Sequence, residues 1–237
     1  MLGGVTEPPA PDWAVLPGAP ESALAAGLLA RLPPATPPPP WPTRVEAVLW
    51  WHAAGPEALA ALPPELGARP RRPLVVGAFL RYLDSPVGAY EEVLGAVAHA
   101  PAHVTVPFMA VDSLPSVHGG RAWWSLPKAL AAFERTGDSV LARGAGWQVA
   151  ATARQVGPRL PAFGGLRLTQ LDATGAARRA RATAVGRVRL ARVDVTVTSG
   201  AWAVPGSIAG WLRPGRHRGL VLRARVRVGA PAGPPGS

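Results

Sequence analysis

The chain has 237 residues, enough for one sizeable core or two small domains. Ala, Gly, Pro and Arg dominate, and twenty-four arginines stand beside one lysine, so the formal net charge of +11 reflects a biased choice of basic residue as well as any anionic partner. There is no cysteine, which excludes disulfides, thiolate nucleophiles and cysteine metal sites.

In chain order, proline-rich residues 1–40 predict a mobile arm with one short helix over 21–32. The apolar run "ALAAGLLARL" (23–32) follows Pro, Asp and Glu rather than a basic segment, so it is not read as a signal peptide. No apolar run approaches the ~18–20 residues of a membrane helix. The expectation is a soluble, cytoplasmic protein with no membrane partner. One domain is predicted over 41–228, followed by a disordered tail, "GAPAGPPGS", over 229–237.

Within the domain, "RVEAVLWWH" (44–52) predicts a strand and "PEALAALPPEL" (56–66) a short helix stopped by proline. "PLVVGAFLRYL" (73–83), "YEEVLGAVAHA" (90–100) and "HVTVPFMAVDS" (103–113) predict strands, the second also fitting a helix. "PKALAAFE" (127–134) has proline at a first helical position and good helix formers after it, which predicts a helix with Lys128 in its first turn. Residues 138–156 predict a strand pair turning at Gly144-Ala145-Gly146, and 189–199 a further strand. In "LVLRARVRV" (220–228), apolar residues alternate with Arg223, Arg225 and Arg227. That ladder reads as a solvent face. A nucleic-acid surface is the rival, but no stacking aromatic is interleaved. Many short strands and few helices predict a closed or nearly closed antiparallel sheet.

The five histidines are scattered, and Pro101 interrupts the helical spacing of His99 and His103, so no metal site is expected. No phosphate-cradling glycine loop and no serine–histidine elbow is present. Lys128 stands out as the only side-chain amine. An amine forms a Schiff base with a ketone; a guanidinium does not. A predicted helix N-terminus and apolar neighbours Trp123, Trp124, Leu126 and Phe133 would both disfavour the ammonium. Bringing a lysine pKa from ~10.4 to about 7 costs roughly 4–5 kcal/mol, within the ~3–5 units that burial supplies. The plainer alternative is a snorkelling lysine at a helix start.

The stretch "VDSLPSVHGGRAWWSLPKALAAF" (111–133) resembles the acetoacetate decarboxylase family, whose signature maps to Gly120, Arg121, Trp123 or Trp124, Pro127 and Lys128. "YLDSPVGAYEEVLGAV" (82–97) resembles the family segment that carries an active-site glutamate, here Glu92. "TRVEAVLWW" (43–51) resembles the first strand, whose active-site arginine falls on Arg44. The resemblance implies a mostly β fold: an antiparallel cone-like β-barrel with short peripheral helices, often assembled into symmetric homo-oligomers. It also implies a cofactor-independent Schiff-base lyase acting on a small anionic keto acid, with decarboxylation of a β-keto acid as the expected reaction. Lys128 inherits the nucleophile's role, Glu92 that of proton transfer or carboxylate orientation, and Arg44 that of carboxylate binding. Trp123 and Trp124 are expected to wall the pocket or pack the core. Arg121 fits a structural role, paired with a buried acid. Glu91 is expected to point away from Glu92. Two positions depart from the family's type members: a second lysine is replaced by Ala129, and an acidic residue by Gly77. The alternatives are an aldolase or dehydratase using the same imine, a barrel that binds a ligand without turnover, and a basic nucleic-acid-binding module.

Overall fold

The structure, a computed structural model, describes residues 16–66, 73–100, 102–200 and 206–232. Its strands are β1 (Trp41–Ala53), β2 (Leu74–Asp84), β3 (Tyr90–Ala100), β4 (His103–Val111), β5 (Lys128–Leu130), β6 (Ala132–Thr136), β7 (Ser139–Gly144), β8 (Trp147–Leu171), β9 (Ala177–Ser199) and β10 (Gly215–Val228). Helices α1 (Ala26–Leu29), α2 (Pro56–Ala60), α3 (Leu114–Trp124) and α4 (Ile208–Trp211) are short. No helix among the described residues is long and apolar enough to cross a membrane.

The fold is mostly β with a few short helices, as expected, and most but not all of its strand pairings are antiparallel. All ten strands share one sheet in the order β5-β4-β3-β2-β1-β10-β9-β8-β7-β6. Two pairings, β4–β5 and β4–β8, are parallel. The edge strands β5 and β6 are consecutive in the chain and joined by Ala131 alone, so the sheet curls until its edges meet. Chain continuity at Ala131 and the two β4–β8 residue pairs draw the curl together, in place of a continuous edge-to-edge ladder. The core inside contains Trp50, Phe79, Phe108, Trp147 and Trp211, with aliphatic residues from strands across the sheet. Each such large side chain contributes roughly 1.5–3 kcal/mol by burial.

The predicted helix over 127–134 is also corrected. Lys128–Leu130 pairs in parallel with Met109–Val111, and Ala132–Thr136 pairs with β7. Ladder bonds and burial override the helix propensity of Ala, Leu and Glu. The helix lies just upstream, in α3, capped by the Ser113 hydroxyl, which accepts from the Ser116 N–H at 3.3 Å.

Residues 16–40 pack against the sheet, which corrects the mobile-arm expectation for that stretch; residues 1–15 lie outside the described residues. The Ala19 N–H donates to the Pro107 carbonyl, 2.5 Å. Glu21 Oε1 accepts from the Ser207 hydroxyl at 2.7 Å and the Ile208 N–H at 3.2 Å. Leu24 joins a cluster with Tyr90, Val111, Val117 and Ala129. At the other end, Ala232 bridges to Arg179, so residues 229–232 are ordered on β9, and 233–237 lie outside the described residues.

Candidate active site

Alternation along β3 sends Tyr90 and Glu92 to one face and Glu91 to the other, as expected from the sequence. Glu91 meets Arg135 at 2.6 Å and Arg81 at 3.7 Å. Glu92 is only 1% exposed. Across the ladder Glu92 faces Val111 on β4, and Val111 faces Leu130 on β5. Lys128, two residues before Leu130, therefore shares that face. Its Nζ donates to Glu92 Oε2 at 2.8 Å and to the Ser116 hydroxyl at 2.9 Å, and Lys128 is 3% exposed.

Two tyrosines complete the arrangement. Tyr82 on β2 and Tyr90 on β3 are direct ladder partners, and their rings stack at 4.1 Å and 16°. The Tyr82 hydroxyl donates to Glu92 Oε1 at 3.2 Å, so both carboxylate oxygens are engaged. Lys128 Nζ lies 5.3 Å from the Tyr90 ring centroid, within cation–π range. Neither tyrosine nor Ser116 is among the residues expected from the sequence. A signal existed: these are the chain's only two tyrosines, and Tyr90 has strand spacing to Glu92.

Gly120 shows how α3 admits the lysine. A Cβ at Gly120 would lie 2.5 Å from Lys128 Cδ and 2.8 Å from Cε. The lysine stem thus runs through space that any larger residue would fill. Next to it, Arg121 is buried and donates from Nε to the Lys128 carbonyl at 2.7 Å and from Nη2 to the Ser22 carbonyl at 2.5 Å. It ties α3, β5 and the N-terminal segment together. Burial lowers its pKa to about 10.

The electrostatics reverse one expectation. Burial alone pushes the Lys128 ammonium down, but the Glu92 carboxylate, and then Tyr90, override it, and the pKa lies above lysine's ordinary value. Burial raises the Tyr90 phenol. Burial, followed by the Glu92 charge, pushes Tyr82 well up. The resting site is a buried ammonium–carboxylate pair, in which the lysine is held charged.

The other expected residues are engaged elsewhere. Arg44 is exposed on β1, opposite Asp84 and Arg225, and lines a cavity with Glu46, Leu83, Arg223 and Arg225. Trp124 is buried edge-to-face on Trp41, 4.9 Å between centroids, and donates to the Gly229 carbonyl at 2.8 Å. Trp123 is half-buried and donates to the Thr36 hydroxyl. Both tryptophans pack the core. A side chain at Gly77 would meet the Trp50 ring, on the β2 face opposite Glu92, so an acid there would point away from Lys128. Ala129 is buried in the Leu24 cluster. His99 lies on β3 and His103 opens β4, so no helix spans them; the His99 side chain lies outside the described residues.

The fold is shared with solved structures. An acetoacetate decarboxylase from Legionella pneumophila superposes with a TM-score of 0.60 at 17% identity, covering 90% of this chain and 96% of that one. The enduracididine biosynthesis enzyme MppR, in complex with pyruvate, gives 0.56 at 17% identity over 83% of this chain and 90% of that one. An acetoacetate decarboxylase-like enzyme from Sphingomonas wittichii RW1 gives 0.52 at 15% identity over 82% and 91%. No curated protein matches the sequence. A model of the acetoacetate decarboxylase family does match it, over residues 30–207, and the chain therefore belongs to that family.

Proposed function

We propose that the protein is a Schiff-base lyase that decarboxylates a small β-keto acid, with Lys128 as the nucleophile and Glu92 as its proton partner. The observation that carries this reading is the buried 2.8 Å contact between the only lysine and a carboxylate. An ammonium has no lone pair, and this one is held above its ordinary pKa. The nucleophile therefore arises by proton transfer along the existing hydrogen bond, rather than by titration. Moving the proton from Nζ to Glu92 Oε2 leaves the net charge of the pair unchanged, so a dry site does not oppose it as it would oppose creating a lone charge.

The amine adds to the ketone carbon, and Glu92 returns its proton to the hydroxyl that leaves as water. The iminium nitrogen then accepts the electron pair of the breaking C–C bond as carbon dioxide departs. The resulting enamine takes a proton at carbon, and water hydrolyses the imine to release the ketone and the amine. Tyr82 holds the second carboxylate oxygen of Glu92 and keeps Oε2 aimed at Nζ. With Lys128 and Glu92 both buried, substrate entry requires the surrounding side chains to move; Leu24 shares a buried cluster with Tyr90, and Leu28 packs against that cluster.

Borohydride reduction with a bound β-keto acid tests the reading. It should add the mass of the bound carbon skeleton at Lys128, with carbon dioxide released. An imine that instead yields a condensed product from pyruvate and an aldehyde would assign the aldolase reaction to the same lysine.

A further inference from the structure

On the opposite face of the sheet from Lys128 lies a second cavity, of about 450 Å³, whose walls carry Arg81, Arg135, Arg159, Arg187, Arg189 and Arg223. Glu46 and Asp138 are the acids among its described lining residues. The register explains the crowding. One row across the ladder reads Arg81, Glu46, Arg223, Arg187 from β2 to β9, and the row beside it places Arg44 opposite Arg225. Like charges directly opposed across an antiparallel ladder are destabilising. The acids relieve only part of this. Glu46 binds Arg223 at 2.7 Å, and Glu91 binds Arg135 and Arg81. Arg159, Arg187 and Arg189 form no ion pair among the described residues. Arg189 has one long hydrogen bond, to Gln155 at 3.4 Å, and its Nε is buried without a partner. A buried donor left unmade is costly, and an anion would satisfy it.

We propose that this cavity binds a small organic polyanion carrying two or more phosphate or carboxylate groups. Guanidinium forks on several strands match such groups bidentately, and the volume lies in the ordinary range for small-molecule sites. A nucleic-acid groove fits less well, because no aromatic side chain lines the cavity to stack a base. The site is distinct from the Lys128 centre. Arg81 and Glu91 are chain neighbours of Tyr82 and Glu92, but their side chains leave the opposite face of β2 and β3. The inference stands independently of the imine chemistry.

Calorimetric titration of the full chain with inorganic tripolyphosphate, at about 150 mM salt to suppress diffuse attraction, tests it. One anion should bind per chain, and Arg187→Gln with Arg189→Gln should weaken it by at least about tenfold, as expected for losing two charge-assisted contacts. The control is Arg154→Gln with Arg192→Gln, an exposed, directly opposed arginine pair outside the cavity. It removes the same charge and should leave binding within about twofold. Neither substitution breaks an ion pair among the described residues, so melting temperatures should not fall. Equal weakening by both pairs, or the absence of saturation in wild type, would overturn the site. Duplex DNA that outcompetes tripolyphosphate and loses affinity with the Arg187/Arg189 pair would reassign the surface to nucleic acid.

Discussion

Lys128 Nζ stands 2.8 Å from Glu92 Oε2, with both side chains no more than 4% exposed. Each charge justifies the burial of the other, and removing one partner exposes the other to the full cost of desolvation. In Glu92→Gln the larger cause that raises the lysine pKa is gone, and burial is opposed only by Tyr90. The pKa of Lys128 should fall below its ordinary value, so imine trapping should reach its half-maximum at lower pH than in wild type. Turnover should nonetheless drop by about 10²–10⁴-fold, because the proton partner is lost. Trapping at unchanged pH would show that Glu92 does not control the amine.

Alkaline stability follows from the same pair. Lys128, Tyr82 and Tyr90 all have folded pKa values above their ordinary ones. Above about pH 10 the unfolded chain gives up these protons while the folded chain keeps them, so stability present below that pH is lost as pH rises towards the folded values. Thermal melts should hold steady to about pH 9.5 and then fall steeply. Tyr82→Phe removes one of the three groups and should flatten that decline. An identical slope in the variant would contradict the assignment.

Gly120→Ala tests the path of the lysine stem. Helix propensity favours the substitution by about 1 kcal/mol, yet the new methyl would lie 2.5 Å from Lys128 Cδ. Displacing the amine by about 1 Å should cost on the order of 10²-fold in turnover. Far-ultraviolet circular dichroism should remain that of the folded wild type.

Trp124→Ala should separate core from site. Truncating a buried tryptophan costs about 3–5 kcal/mol, and the ring packs edge-to-face on Trp41 and donates to the Gly229 carbonyl. Denaturant midpoints should fall, while the pH dependence of imine trapping in the surviving folded protein should match wild type. A shifted profile would place Trp124 in the amine's environment after all.

Much of this site is legible in the sequence, and what is not has physical causes. Lys128 announces itself as the one amine, and period-two alternation separates buried Glu92 from Glu91 without a structure. Arg44 reads as a partner from its resemblance to the family's first-strand arginine, but alternation along β1 puts it on the face of Glu46, opposite Arg225, and not on the face of Glu92. "PKALAAFE" carries helix-forming residues, but its backbone is claimed by β4 and β7, and local propensity cannot register pairing with distant strands. Helix α3 hides in the converse way. Pro115, Gly119 and Gly120 look like loop residues, although the Ser113 cap and the early proline mark a helix start. Strands β8 and β9 run far beyond their alternating cores, since the Gly157-Pro158 break is absorbed as a bulge between Val156 and Leu160.

Borohydride trapping, read by peptide mass spectrometry beside carbon dioxide release, tests the central claim most directly. Wild type incubated with acetoacetate and a panel of larger β-keto acids should release carbon dioxide from at least one. Reduction should then leave a single adduct on Lys128, with both signals absent in Lys128→Arg. Adduct and carbon dioxide release that persist in Lys128→Arg, or release in wild type with no adduct at Lys128, would contradict the account.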